Sequence, residues 1–325
     1  MFSNLSRIHL ANLPTPLEPM PRLTEALGGP HLWVKRDDET GLATGGNKTR
    51  KLEFVMADAL ANESDTVITT GATQSNHCRQ TAAAAARYGL NAVLVLTGDK
   101  PEGVEGNILL DHLFGARLVF TGNRPRDEVI DEVAEAEKAA GRTPYKIPGG
   151  ASMPLGAVAY ALAMTELQAQ MEAAGQRFDR IVFASGSGGT QGGMLAGAAL
   201  TGFRGEILGI SISSDPVKLK STIAELATGA LDLLGRPRTF SAADAHLDAG
   251  FLGGGYAVVG EPEREAIRMF AQYEGILVDP VYSGRAAAGL IGLIRQGVIR
   301  RDENVLFWHT GGTAGMFAFA KDLVG

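Results

Sequence analysis

The segment Arg180-Ile181-Val182-Phe183-Ala184, followed by Ser185-Gly186-Ser187-Gly188-Gly189-Thr190-Gln191-Gly192-Gly193, decides how the rest of the chain is read. A short apolar run of this kind predicts a strand, the glycines a loop, and Thr190–Thr201 a helix. Strand, loop, helix is the repeating unit of an α/β protein. Working outward, the same alternation recurs. Strands are predicted over 31–35, 66–70, 92–96, 116–120, 207–211 and 305–309. Helices are predicted over 51–61, 76–88, 104–114, 125–140, 153–173, 262–272 and 285–296. Such alternation predicts an α/β chain with largely parallel sheets. It falls into two blocks, roughly 51–147 and 155–325, and Pro148-Gly149-Gly150 is the expected crossover between them. A ligand is expected in a cleft between the blocks, at the carboxyl ends of strands.

The chain has 325 residues, 45% hydrophobic and 20% charged, so a substantial core can be buried and disorder is excluded as the main state. Its net charge of −6, with no basic run longer than Lys48, Arg50, Lys51, gives no footprint for nucleic acid. Residues 1–10 lack a secretory leader pattern and no apolar stretch approaches membrane-spanning length, which predicts a cytoplasmic protein. One cysteine and six unpaired histidines make metal catalysis unexpected. The anomaly is glycine, at 42 residues. Fifteen of these fall in five short clusters, which is read as backbone brought close to a ligand.

The loop after Ala184 admits three readings. A dinucleotide fingerprint fails, because the third glycine would fall at position 191, which is Gln191. A tight turn with close helix packing explains the glycines without a ligand. An anion site uses backbone N–H groups and the positive end of the helix. The hydroxyls of Ser187 and Thr190 favour a terminal phosphomonoester.

Gly45-Gly46-Asn47-Lys48-Thr49-Arg50-Lys51 looks at first like a phosphate-binding P-loop after Gly41, but Asn47 puts the lysine one residue too late. The alternatives are a solvated surface lysine or a lysine delivered into a cleft just before a helix beginning near Thr49. In a partly desolvated cleft Lys48 can be neutral often enough to form a Schiff base with an aldehyde. Lys51 is expected on the helix, as an ion-pair partner or second proton carrier.

In Thr70-Gly71-Ala72-Thr73-Gln74-Ser75-Asn76-His77, Ser75 or Asn76 is a good helix N-cap, and the free first-turn N–H groups would hold a carboxylate. The plainer reading is a cap alone, with His77 and Cys78 structural. Asp279-Pro280-Val281-Tyr282-Ser283-Gly284, Val305–Thr313 and Tyr256 after Gly253-Gly254-Gly255 look like strand ends and loops, where function is often carried.

Taken in order, these motifs resemble the pyridoxal-phosphate-dependent enzymes of the tryptophan-synthase-β fold, in the branch of D-cysteine desulfhydrase and 1-aminocyclopropane-1-carboxylate deaminase. The resemblance runs from Leu13-Pro14-Thr15-Pro16-Leu17 through Lys35–Asp38, Gly45–Glu53, Gln74–His77 and Asp279–Tyr282 to His309-Thr310-Gly311-Gly312. It implies a two-lobed fold of open, twisted, mostly parallel sheets with flanking helices. The larger, cofactor-binding domain would be 1–50 plus 155–325 and the smaller 51–154. It implies pyridoxal 5'-phosphate as cofactor, a small amino-acid substrate and a homodimer. Lys48 would bind the cofactor aldehyde and serve as catalytic base. Asn76 would meet the ring hydroxyl, Ser187, Gly188, Gly189 and Thr190 the phosphate, and Thr310 the ring nitrogen side. Ser75, Asn76, His77, Tyr256, Tyr282 and Ser283 would meet the substrate.

Deaminases of this branch carry Tyr-Glu-Gly and His-Leu-Gly-Gly, where this chain has Tyr282-Ser283-Gly284 and His309-Thr310-Gly311-Gly312. A neutral hydroxyl beside the ring nitrogen leaves a weaker electron sink than a carboxylate does, enough for β-elimination but not for cyclopropane opening. The resemblance therefore favours a carbon–sulfur lyase acting on D-cysteine. The rivals are L-cysteate sulfo-lyase, then the deaminase, then a non-catalytic sensor of the cofactor or an amino acid. The segment Thr97–Gly106 is shorter than the corresponding loop of that branch, and no residue stands out in the sequence as the contact a sulfonate would need.

Overall fold

The computed structural model describes residues 5–213 and 215–324. In chain order it contains β1 (Leu17–Pro19), α1 (Pro21–Leu27), β2 (His31–Arg36), α2 (Asn47–Ala61), β3 (Thr66–Ala72), α3 (Asn76–Arg87), β4 (Asn91–Thr97), α4 (Gly106–Leu113), β5 (Arg117–Phe120), α5 (Arg126–Ala139) and β6 (Pro144–Lys146). The second half contains α6 (Pro154–Ala174), β7 (Arg180–Ser185), α7 (Gly189–Thr201), β8 (Glu206–Ser211), α8 (Pro216–Leu233), β9 (His246–Asp248), α9 (Glu261–Met269), α10 (Ser283–Arg295), β10 (Asn304–His309), α11 (Thr313–Met316) and α12 (Ala320–Val324).

Two sheets form. The six-stranded sheet has the order β1-β2-β10-β7-β8-β9 and is parallel except for the short edge strand β1. The four-stranded sheet, β5-β4-β3-β6, is parallel throughout. The mixed α/β architecture with largely parallel sheets is as the alternation predicts. Every strand proposed from the sequence is present within a few residues, as is every proposed helix.

Alternate residues of the central strands feed two helical layers, the side-chain period of a strand covered on both faces. Val182, Val305 and Phe307 point to one core with Leu290 and Ile291 of α10. Ile181, Phe183, Leu306 and Trp308 point to another with Tyr160 and Met164 of α6 and Met194 of α7. The smaller sheet divides in the same way, with Val67, Leu94 and Leu96 on one side and Ile68, Val93 and Val95 on the other.

Three differences from the sequence reading have plain causes. Helix α8 was not among the predicted elements, although Asp215 caps it by accepting from Lys218 N at 3.0 Å and Pro216 stands in its first turn. Helix α2 begins at Asn47 rather than near Thr49 or Lys51, which puts Lys48 on the first helical turn. The glycine cluster after β7 divides into two uses. A Cβ on Gly193 would lie 2.2 Å from the Ala157 carbonyl oxygen, and one on Gly192 2.9 Å from that of Ile223, so these two let α7 pack closely on α6 and α8. Of the same cluster, Gly186 and Gly188 line a cavity.

Candidate active site

Lys48 and the residues around it line a cavity of about 530 Å³ between the carboxyl ends of β3 and β7. The start of α2 is tied down from both sides. Asn47 N donates to the Thr310 carbonyl at 3.0 Å, and Asn47 Nδ2 to Thr190 Oγ1 at 3.0 Å. Below them, Arg50 donates to both oxygens of buried Asp37, at 2.8 and 2.9 Å, and to Glu166. Asp37 also accepts from Thr15, Tyr160 and Trp308. The lysine-bearing helix is thereby fixed to the larger sheet.

Burial lowers the Lys48 amine from its ordinary 10.5 to about 8. Lys51, one turn further on, is fully buried, and burial, with the charge and hydrogen bond of Lys48, pushes it well below 10.5. Its Nζ donates to the Gly150 carbonyl at 3.2 Å, and among the described residues no carboxylate pairs with it. The expected ion-pair partner for Lys51 is not there. A Cβ placed on Gly189 would lie 2.8 Å from Lys51 Nζ, so the side-chain nitrogen stands against the glycine loop.

That loop forms a cradle. Gly188 takes a left-handed conformation (φ 83°) and α7 begins at Gly189 with no acidic residue in its first turn. Its first N–H groups have no intrahelical partner and, with the helix dipole, favour an anion. Ser152 Oγ donates to Ser187 Oγ at 2.7 Å and accepts from Gly189 N at 3.3 Å. Ser187, Gly188 and Thr190 line the cavity, while Gly189 lies just behind, against Ser152 and Lys51.

Ser75, Asn76 and His77 stand where α3 meets the same space. Ser75 is the N-cap, accepting from Cys78 N at 3.2 Å, which leaves its O–H free to donate. Asn76 Oδ1 accepts from Arg79 Nη1 at 2.8 Å and from Asn107 Nδ2 at 3.0 Å. The amide therefore presents its N–H₂ elsewhere. Thr69 Oγ1 gives its proton to the Ile147 carbonyl, so it accepts from His77 Nε2 at 2.7 Å, and His77 Nδ1 is a buried acceptor without a protein partner. Burial, then Lys48 and Lys51, push His77 well below 6.5, and it is neutral.

Tyr256 and Tyr282 line the cavity with their hydroxyls 2.6 Å apart. Burial and the neighbouring Tyr256 hold the Tyr282 phenol well above 10, so it remains an O–H donor. Thr310 is also in the lining, and among the described residues no aspartate or glutamate is. Ser283 is different. It is buried away from the cavity, accepts from Asp279 N at 2.9 Å and lies within hydrogen-bond reach of Asp279 Oδ1 (2.7 Å) and the Gly311 carbonyl (3.0 Å). The expected substrate contact from Ser283 does not correspond to its position, which ties the start of α10 to the Gly311-Gly312 turn. Sequence reasoning missed the role of Arg79 behind Asn76, and Ser185, Gln191, Ser213 and Arg126 in the lining. Arg126 sits on a helix start rich in charge and reads as a surface residue.

A lysine with a depressed pKa facing an acid-free phosphate cradle suits a small phosphorylated aldehyde. The buried side-chain oxygens of Ser185 and Gln191, which lack protein partners, add polar capacity in the same lining. The donor set thus offers, in one cavity, an amine and the free N–H groups of a helix start, a combination suited to a phosphorylated aldehyde. The comparisons specify it. The family model "Pyridoxal-phosphate dependent enzyme" matches residues 8–311. A D-cysteine desulfhydrase from Klebsiella pneumoniae is 40% identical over 332 residues, covering 99% of this chain and 98% of the relative. A 1-aminocyclopropane-1-carboxylate deaminase from Burkholderia multivorans is 40% identical over 322 residues, with 94% of each chain covered. The crystal structure of an ACC deaminase homologue superposes with a TM-score of 0.91 at 36% identity, covering 99% of this chain and 97% of that one. A fungal L-serine ammonia-lyase from Rhizomucor miehei, 18% identical with a TM-score of 0.67, shares the fold. The chain belongs to the pyridoxal-phosphate-dependent enzyme family, and its cofactor is pyridoxal phosphate.

Proposed function

We propose that the protein is a carbon–sulfur lyase that removes the β-substituent of a cysteine-like amino acid, with D-cysteine giving pyruvate, sulfide and ammonia. The observation that carries this reading is the neutral lining near Thr310. Without a carboxylate there, the site suits a reaction in which the leaving group takes the electron pair, and not the opening of a cyclopropane ring. Relatives at about this level of identity are named D-cysteine desulfhydrase.

Pyridoxal phosphate, when bound, supplies the electron sink conjugated to the substrate's Cα. Lys48 would hold its aldehyde, and Lys51 with Ser187, Gly188, Gly189 and Thr190 its phosphate. Asn76 would donate to its ring hydroxyl. The Ser75 hydroxyl and the first-turn N–H groups of α3, the backbone N–H of His77 among them, hold the substrate carboxylate. The Lys48 amine, neutral in an appreciable fraction near pH 7, takes the Cα proton. The Cβ–S bond breaks with its electron pair going to sulfur, and Tyr282 O–H supplies the proton, its position kept by Tyr256. The resulting 2-aminoacrylate adds water to give pyruvate and ammonium.

Coupled assays with D-cysteine, L-cysteine, L-cysteate and 1-aminocyclopropane-1-carboxylate test this. Pyruvate and sulfide should appear in equal amounts from D-cysteine, and no 2-oxobutyrate from 1-aminocyclopropane-1-carboxylate. Release of 2-oxobutyrate would favour the deaminase, and inactivity towards all four a sensor. The division into domains 1–50 plus 155–325 and 51–154, the homodimer and the cytoplasmic location belong to the same proposal. Of the residues in those ranges, 1–4, 214 and 325 lie outside the described ones. No helix among the described residues is long and apolar enough to cross a membrane.

A further inference from the structure

Arg285 stands where helix electrostatics disfavour it. It lies in the first turn of α10, where the positive end of the helix dipole repels a cation, and it is wholly buried. Its partners account for its place. Nε donates to Glu263 Oε1 at 2.8 Å, Nη1 to the Gly255 carbonyl at 2.8 Å and Nη2 to the Val258 carbonyl at 2.8 Å. Glu263 in turn accepts from Gly260 N at 3.0 Å, at the start of α9.

The two carbonyls bracket Tyr256 and Ala257. They belong to the stretch 249–260 between β9 and α9, which contains neither helix nor strand. Ala257 is left-handed (φ 60°), a conformation that a residue other than glycine keeps only where its surroundings impose it. Tyr256 is half-exposed, and its hydroxyl reaches that of Tyr282 at 2.6 Å. Tyr282 is the residue that immediately precedes α10. One guanidinium therefore ties the loop carrying Tyr256 to the helix start carrying Tyr282. Arg285 itself is not part of the cavity lining.

We propose that Arg285 is a positioning residue for proton delivery to the leaving group, acting through Tyr256 on Tyr282. The inference rests on the β-elimination reading above and deepens its last step. When Tyr282 gives its proton to the departing sulfur, its own oxygen is left negative. The Tyr256 O–H, which is then the donor of the pair, holds that charge until Tyr282 is reprotonated. A donor carried on a half-exposed loop serves this only if the loop is held in place, and the fork of Arg285 over the two carbonyls holds it. Arg285 exchanges no proton in the step.

The test uses the leaving group. Sulfur is basic and departs with a proton, whereas chloride departs without one. D-cysteine and D-β-chloroalanine are compared in the wild-type holoenzyme, Arg285→Lys, Tyr256→Phe and the double variant. Arg285→Lys keeps a cation beside Glu263 and loses the fork. The ratio of kcat for D-cysteine to kcat for β-chloroalanine should fall about fivefold in Arg285→Lys, the scale of one hydrogen bond, and about as much in Tyr256→Phe. The double variant should lose no more than Tyr256→Phe alone. Amide hydrogen exchange, read by mass spectrometry, should quicken over 249–260 in Arg285→Lys and stay unchanged in α2. If Arg285→Lys does not fold, Arg285→Met with Glu263→Gln removes both buried charges together and takes its place. Equal losses for the two substrates, additive losses in the double variant, or unchanged exchange over 249–260 would overturn the inference and leave β-elimination standing. Wild-type enzyme that makes pyruvate from β-chloroalanine alone, or from neither substrate, would instead overturn the substrate or the reaction assignment, and the inference with it.

Discussion

Arg79 Nη1 donates to Asn76 Oδ1 at 2.8 Å, while Nη2 of the same guanidinium donates to the Gly45 carbonyl at 2.9 Å. A guanidinium can only donate, so the amide oxygen of Asn76 must face it, and the N–H₂ is left for the ligand side. The residue assigned to the cofactor ring and the loop leading to Lys48 are thus set by one buried cation. Arg79→Leu should free the amide to rotate and weaken cofactor retention by about tenfold, the equivalent of one hydrogen bond. Titration of the apoprotein with pyridoxal phosphate, followed by absorbance, reads this. Unchanged affinity would mean that Asn107 alone orients Asn76.

The depressed pKa of Lys48 has a kinetic signature. An amine near 8 is about 10% neutral at pH 7, some 300-fold more than one at 10.5. The rate at which apoprotein takes up pyridoxal phosphate should therefore rise about tenfold per pH unit below 8 and level off above it, since only the neutral amine attacks the aldehyde. Lys48→Ala should lack the absorbance near ~420 nm of lysine-bound cofactor. A rate still climbing steeply at pH 9.5 would place the amine at its ordinary pKa.

The tyrosine pair allows a separation of roles. If Tyr282 delivers the proton to departing sulfur, Tyr282→Phe should reduce kcat by about 10²-fold or more, the usual scale of general acid catalysis. Tyr256→Phe removes only the hydroxyl partner 2.6 Å away and should cost less. Because the Tyr282 phenol is held well above 10, activity should not fall through phenol ionisation between pH 7 and 10. An alkaline limb near pH 8.5 that disappears in Tyr282→Phe would show that the phenol ionises earlier.

Much of this arrangement was legible in the sequence because it is local. A strand whose successive residues feed two cores, as Ile181, Val182 and Phe183 do, is necessarily a continuous apolar run, and the turn after it must carry glycine to reach φ 83° at Gly188. What was not legible depends on distant partners. Lys51 and Lys48 are three residues apart on one helix, and nothing in their spacing shows that Gly150 and Gly189 close over the second lysine. Arg79 owes its meaning to Asn107, 28 positions away. Gly192 and Gly193 looked like part of the ligand loop because helix packing and ligand approach ask for the same residue. Ser283 shows the opposite error, a motif position whose side chain is used up by Asp279 and the Gly311 turn.

Ser283 accordingly predicts a stability effect. Ser283→Ala removes a buried hydroxyl that serves Asp279 N and Asp279 Oδ1, and should destabilise by about 1–3 kcal/mol. Ser283→Glu sets a second carboxylate against Asp279 and should be worse. Urea midpoints of both variants test the order. Equal stability of Ser283→Glu and wild type would return this position to the ligand side of the turn.

Asp37 provides the pH-dependent case. Burial acts to raise its carboxyl, but Arg50, Lys35 and Tyr160 together hold it below 3.8, and five hydrogen bonds from Arg50, Thr15, Tyr160 and Trp308 converge on its two oxygens. Asp37→Asn leaves Arg50 and Lys35 facing only Glu166 and should cost about 3–5 kcal/mol, the usual result of breaking a buried ion pair. A carboxyl whose pKa is lower in the folded than in the unfolded state binds fewer protons there, so its contribution is fully present above 3.8 and is lost as pH falls through the lower, folded value. The difference in unfolding free energy between wild type and Asp37→Asn should therefore be constant from pH 5 to 7 and shrink on acidification below 3.8. A difference independent of pH down to the acid limit of folding would mean that the loss comes from packing rather than from the charge on Asp37.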